Sequence, residues 1–398
     1  MHAAPYGTSV QGFRDSAGPG RLTGGVDVPL LVAAVGLMGC SLYTITQATQ
    51  TDIPGDPHYF IVRQAAYGAI GLVLMLLISR MDYSRLREWK AGLYGLLIGL
   101  IVIVYATGTV ARGSKRAIEL PFFSLQTSEL GKVLLVLTLS AFAVDRMRRV
   151  GEKETTSRIM LLAIFPAMLV VAQPDLGSGM VYVSIALAIL FVAGTRWTHF
   201  AALGGLAAVA IVTVVVAAPA MGVQVLKPYQ MDRLTAFVNP QDNPAKQGYQ
   251  QSQSLVAVGA GGRTGRGDQA TQTRLDFLPE HHTDFVFSVV GEEFGFMGAA
   301  LVLSLYALLI WRCLRILTVS KNLYGTLIAA GITAMFMHQV FINVGMTIGI
   351  MPITGVTLPL MSYGGSSVIV TFMALGLLQS IHAQARETAF AKGRELAL

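Results

Sequence analysis

Apolar runs long enough to cross a membrane, separated by short polar stretches, recur along all 398 residues. Ten candidate helices follow from them, over residues 27–47, 62–80, 91–109, 127–144, 158–173, 177–195, 199–221, 284–311, 324–349 and 366–383. The pattern predicts an all-α polytopic membrane protein with about ten transmembrane helices. One connection breaks the rhythm: residues 222–283, between helices 7 and 8, form a loop far longer than a simple turn. Residues 1–25 are Gly/Ser-rich and read as a disordered cytoplasmic tail, lacking the charged-then-apolar pattern of a cleavable signal. Residues 26–384 then form the membrane domain and 385–398 a second cytoplasmic tail. No internal repeat is evident, so nothing in the pattern favours an inverted-repeat transporter.

Composition agrees with the pattern. Hydrophobic residues make up 53% and charged residues 13%, about half the charge of an average soluble chain. Cys40 and Cys313 lie in or beside different apolar segments near opposite ends, which excludes a disulfide framework. There is no phosphate-binding Walker loop, dinucleotide fingerprint, nucleophile elbow or zinc spacing. Any enzymatic work must therefore draw on an energy source other than a soluble nucleotide. The net charge of +7 is mainly topology signal, compatible with anionic headgroups and phosphates and not a mark of nucleic-acid binding.

Lys and Arg crowd alternate connections: Arg80, Arg85, Arg87 and Lys90; Arg146, Arg148, Arg149 and Lys153; Arg312, Arg315 and Lys321; then Arg386, Lys392 and Arg394. The positive-inside rule puts these, and both termini, in the cytoplasm. The loops at 48–61, 110–126, 173–177, 222–283 and 350–365 are then external, and Arg63, Arg116, Glu129, Lys132, Asp175, Arg233 and Asp284 all fall on that side.

Several of these residues suggest chemistry. Asp284, in PEHHTDFVF, stands where a polar loop becomes an apolar helix. A carboxylate at that depth costs about 2.5–3.5 kcal/mol on insertion scales, so function is weighed against a simple helix cap. Glu129 and Lys132 are three apart at a helix start and share a face, as a local ion pair or as part of a site. Asp175, in QPDLGSG, reads equally as a turn-and-cap residue or as a carboxylate aimed into a cavity. Arg63, Arg116 and Arg233 would form a strong anion site if they converge, and headgroup contacts if they do not. Glycines among basic residues at 259–267 suit approach to phosphate, against the plainer reading of an ordered surface loop. MPITGVTLPLMSYGGSS, with its prolines, glycines and Ser366, predicts a re-entrant cavity wall, because irregular backbone at membrane depth must be buried in protein or line a wet cavity.

The segments GSKRAIELPFFSLQTSELGKV, QPDLGS, NPQDNPAKQGYQQSQSLVAVGAGGRTGRG, LDFLPEHHTDFVFSVVGEEFGFMG and NVGMTIGIMPITGVTLPLMSYGGSS resemble, in order, the SEDS family of RodA- and FtsW-like proteins, with NVGMTIGIMP and LDFLPE nearer the RodA-like branch. The resemblance covers the chain after its tail. It implies a peptidoglycan glycosyltransferase of the bacterial cytoplasmic membrane, polymerising lipid II at the outer face alongside a class B penicillin-binding protein. It further implies that Asp284, as the essential acid, and Glu129 and Lys132, as the family's Glu-x-x-Lys pair, are the catalytic residues. By the same resemblance Arg63, Arg116 and Arg233 look like the family's cavity arginines and Asp175 matches its Gln-Pro-Asp-Leu-Gly turn; these residues, with Lys115, His282, Gln250 and Ser366, are the candidates for binding lipid II and the nascent glycan strand. A divalent metal, Mg²⁺ or Mn²⁺, is expected, with Asp284 and Asp175 as candidate ligands. The chain departs from the family at Ala117, where a Trp is usual, and at Thr127, where a Pro is usual. Going from an α-linked donor to a β-1,4 glycan calls for one inverting displacement, with Asp284 as base and Arg63, Arg116, Arg233 and Lys132 as candidate cations on the departing diphosphate. A lipid II flippase and a scaffold that only activates its partner are the competing readings.

Overall fold

The computed structural model describes residues 25–49, 56–107, 109–111, 114–119, 124–221, 237, 247–274, 277–278 and 280–395. Apolar segments with their backbone polar groups bonded internally form the frame: α1 (Val28–Ala48), α2 (Tyr59–Ser79), α3 (Lys90–Thr107), α4 (Thr127–Asp145), α5 (Lys153–Ala172), α6 (Leu176–Ala193) and α7 (Trp197–Ala220). After the long loop come α8 (Gln247–Ala260), the short α9 (Thr271–Arg274), α10 (Val286–Val319), α11 (Leu323–Thr347) and α12 (Gly365–Glu395). Among the described residues nine helices are long and apolar enough to span a membrane, and α3 is a tenth apolar helix. The chain is an all-α polytopic membrane protein. Residues 1–24, Arg233 and most of 222–246 lie outside the described residues.

α4, α11 and α12 make the buried centre, with α6 packed on α4 and α11, and α2 packed on α12. α7 is almost wholly exposed along its length. Its run of Ala, Val and Gly suits a helix that faces lipid.

Three features depart from the expected pattern. The loop after α3 folds into an antiparallel sheet of β1 (Thr109–Ala111), β2 (Ser114–Glu119) and β3 (Ser124–Gln126), in that order. The last helix runs on to Glu395, so the residues expected as a tail from 385 continue α12. α10 is two helices joined at Gly295, whose φ of 61° and ψ of −157° interrupt the helical path. That break strips the next turn of its usual carbonyl partners. Loop carbonyls replace them: Phe296 N–H donates to Gly262 O at 2.9 Å and Met297 N–H to Arg263 O at 3.1 Å. A Cβ on Gly265 would overlap the Glu293 carbonyl, so this glycine serves backbone-to-backbone packing. The plainer reading of the glycine-rich loop is the one that this packing supports.

The segment between α11 and α12 is irregular yet mostly buried. Its backbone groups find protein partners: Tyr306 OH donates to Pro359 O at 2.5 Å, Ser41 to Met361 O at 2.8 Å and Gln64 to Ser362 O at 3.1 Å. Such replacement is what irregular backbone in a bundle requires.

Candidate functional site

Among the described residues, the candidates gather at one end of the bundle, opposite the end that holds the Lys- and Arg-rich connections. Asp284 precedes α10 and is half-buried. Across from it runs the 353–357 segment: a Cβ on Gly355 would stand 3.3 Å from Asp284 Oδ2, and the φ of 72° there also favours glycine. The other side of that segment touches the start of α6, where a Cβ on Gly177 would lie 3.0 Å from the Thr354 carbonyl. Asp284 and Asp175 thus flank one short stretch of chain.

Asp175 caps α6, its Oδ1 accepting from Ser178 N–H at 3.0 Å. Its Oδ2 accepts from Ser128 Oγ at 2.9 Å and from Gln126 Nε2 at 3.3 Å. These bonds tie the start of α6 to the start of α4. In the same first turns of α4, Glu129 and Lys132 pair at 2.7 Å, with only 4% and 1% of their surfaces exposed. A lone buried ammonium would be expensive there, and the pair removes that cost. Tyr182 closes the contact from α6, donating to Ser128 O at 3.2 Å.

β3 leads directly into α4. Ser366, at the start of α12, donates to Ser124 O at 2.5 Å and accepts from Gln126 N–H at 2.9 Å. Lys115 and Arg116 lie on β2, whose Ala117 faces Gln126 across the strand pair. Their backbone therefore runs beside the approach to Glu129.

Arg63, in the first turns of α2, stacks over the Tyr59 ring at 4.1 Å. The neighbouring Phe60 packs on His282 and Tyr363, with ring centroids 4.9 and 5.0 Å away, and Tyr363 N–H donates to His282 O at 2.9 Å. Burial pushes the Tyr363 hydroxyl up to about 12, helped by Tyr67 and opposed by Arg63, so the group stays neutral at physiological pH. His282 lies two residues before Asp284, so this aromatic cluster joins Arg63 to the same end of the bundle. Gln250 is on α8, one turn before Ser254, which bonds Ser288 at 2.6 Å and Thr347 O at 2.8 Å. That puts α8 against the start of α10 and the end of α11.

Asn343, in α11, was not singled out by sequence. It is fully buried, and its side-chain amide donates to Asp284 O at 2.9 Å and to Val356 O at 2.7 Å. An amide inside an otherwise apolar span was the available signal. Gln64, likewise buried in α2, was missed for the same reason.

The expected metal pairing fits poorly. Among the described residues no three His, Cys, Asp or Glu side chains come together. Asp175 has both oxygens engaged in capping and interhelix bonds.

Residues 27–387 match the cell cycle protein family of FtsW, RodA and SpoVE. This chain belongs to that family. It is 37% identical over 381 residues to a probable peptidoglycan glycosyltransferase FtsW of Thioalkalivibrio sulfidiphilus, covering 92% of each chain. It is 35% identical to stage V sporulation protein E of Bacillus subtilis, over 91% of this chain and 96% of that one. It is 34% identical to peptidoglycan glycosyltransferase MrdB of Escherichia coli K12, over 90% and 93%. Three identities so close do not divide the branches of the family. A chain in a solved peptidoglycan synthase complex, described as coordinating polymerization and crosslinking, superimposes with a TM-score of 0.76 at 31% identity, covering 90% of this chain and 97% of that one. The rod shape determining protein RodA of Thermus thermophilus gives 0.65 at 28% identity, over 90% and 96%.

Proposed function

We propose that this protein is a peptidoglycan glycosyltransferase that polymerises lipid II into β-1,4 glycan strands at the outer face of the bacterial cytoplasmic membrane. The observation that carries this reading is that Asp284, Asp175 and the start of α2 with Arg63 lie about one buried irregular segment at a single end of the bundle, with the Glu129–Lys132 pair beside Asp175. The positive-inside rule turns that end outward and leaves both termini in the cytoplasm. A lipid-linked diphosphate sugar enters from the bilayer with its headgroup at this depth.

Asp284 takes the proton from the 4-hydroxyl of one sugar. The freed oxygen attacks C1 of the other sugar on the face opposite its diphosphate. The C1–oxygen bond to undecaprenyl diphosphate breaks, and the configuration inverts. Arg63, Lys115, Arg116 and Arg233 are the cations assigned to the diphosphates, where guanidinium forks suit phosphate oxygens. The Glu129–Lys132 pair is too enclosed to grip a headgroup directly and instead supports the floor of the site. His282, Gln250 and Ser366 order the segments around it. The donor's diphosphate supplies the driving force, consistent with the missing nucleotide motifs. A class B penicillin-binding protein is the partner that would crosslink the strand.

Reconstitution in liposomes with lipid II, a divalent cation and a penicillin-binding partner tests this. Glycan polymer from the wild type and none from folded Asp284→Ala protein is the expected result. Lipid II crossing the bilayer in both samples, with polymer in neither, would overturn it in favour of a flippase.

A further inference from the structure

The break at Gly295 means that Asp284 is not carried rigidly by the long span of α10. The half-helix that follows Asp284 must be placed by tertiary bonds, and its position relative to the 353–357 segment decides where the carboxylate stands. One side chain touches both. The nitrogen of the Asn343 amide has two N–H bonds; one donates to Asp284 O at 2.9 Å, the other to Val356 O at 2.7 Å. Both partners are carbonyls, so the group facing them must be the donor end of the amide. Asn343 is fully buried on α11, which packs against both α4 and α6 in the centre of the bundle. On the far side Gly355 supplies the clearance for the carboxylate, 3.3 Å from Asp284 Oδ2 to the place of a Cβ.

We infer that Asn343 is a positioning residue for Asp284: it spans the half-helix and the irregular segment and sets the distance between the carboxylate and the sugar hydroxyl. The inference rests on Asp284 being the base of the proposed polymerase. A misplacement of about 1 Å can cost on the order of 100-fold in turnover while substrate binding survives. Packing alone would behave otherwise, because an apolar side chain of similar volume would satisfy it.

The test is steady-state lipid II polymerisation by the reconstituted full chain with its penicillin-binding partner. It compares wild type, Asn343→Leu, Gly355→Ala and Gln339→Leu, each corrected for folded protein. Gln339 is buried one turn from Asn343 on the same helix, so its substitution disturbs the same packing without the bridge. Asn343→Leu is expected to lower kcat at least tenfold with KM for lipid II within twofold of wild type, while Gln339→Leu keeps its kcat. Equal losses in the two variants, or full kcat in Asn343→Leu, would overturn the inference. Should Asn343→Leu fail to fold, Gly355→Ala reads the same spacing from the other side, and unchanged kcat there overturns it as well. Wild type without polymer, or active Asp284→Ala, would instead be failures of the proposed function.

Discussion

Two aspartates begin helices at opposite ends of this bundle, and their surroundings differ in kind. Asp27 precedes α1 at the basic end and is 2% exposed. Its Oδ1 caps Leu30 N–H at 3.0 Å and accepts from Arg312 Nε at 3.0 Å, while Oδ2 takes a second Arg312 nitrogen and lies 3.7 Å from His382. Gln379 clasps its backbone from both sides, at 2.7 and 3.0 Å. Asp284 is half-buried, with a glycine opposite its Oδ2 and an amide holding its backbone carbonyl. Asp27 is a fastener joining α1, α10 and α12, whereas the backbone carbonyl of Asp284 is bonded to Asn343 and its carboxylate lies beside Gly355, the placement the proposed base needs. Burial alone therefore does not mark function in this protein.

The same substitution at both positions should separate the two roles. Asp284→Asn is expected to lower lipid II polymerisation by about 10²–10⁴-fold, the usual contribution of a positioned acid–base group, while the melting midpoint stays near wild type. Asp27→Asn should do the reverse. Weakening a buried pair with Arg312 should cost about 3–5 kcal/mol at most, read as a lower melting midpoint in detergent, with turnover per folded molecule unchanged. If Asp27→Asn also abolished turnover in folded protein, the contrast would collapse.

The Glu129–Lys132 pair falls between these extremes, being buried like Asp27 yet at the same end as Asp284. Lys132→Met leaves a buried carboxylate unpaired and should be destabilising on that same scale. Adding Glu129→Gln should restore most of the lost stability. Turnover should remain at least tenfold down in the double variant if the ammonium contributes to the site, and a double-mutant cycle in stability and rate would show it. The smallest effect is expected at Gly131, where a Cβ would overlap the Tyr182 hydroxyl. Gly131→Ala should cost about 1–3 kcal/mol by overpacking, and Tyr182→Phe should recover part of it in a thermal scan.

Much of this was legible in the chain itself. The ten apolar segments matched observed helices because length and composition are enough where a bilayer forbids unpaired backbone. The buried irregular segment between α11 and α12 was readable from Pro352, Pro359, Gly355 and Gly364 for the same reason. The β1–β3 sheet was missed, since three short strands rich in Ser, Lys and Arg carry no alternating apolar signal. Gly265 suggested phosphate contact because glycine permits any close approach; only the fold showed that α10 is what approaches it. Asn343 carried a faint signal as an amide in a span, but its partners are 59 and 13 residues away.

By itself, then, the sequence determined that this is a polytopic helical membrane protein, which of its ends is basic, and which acids and cations to look for at the other. Those properties depend on local periodicity, hydropathy and short-range charge, which any stretch of chain displays on its own. Tertiary structure decided which carboxylate is spent on capping, as Asp175 is, which is locked to a cation, as Asp27 and Glu129 are, and which lies beside a glycine, as Asp284 does. Those are outcomes of contact between segments far apart in the chain, and a side chain's chemistry depends on the neighbours that folding brings to it.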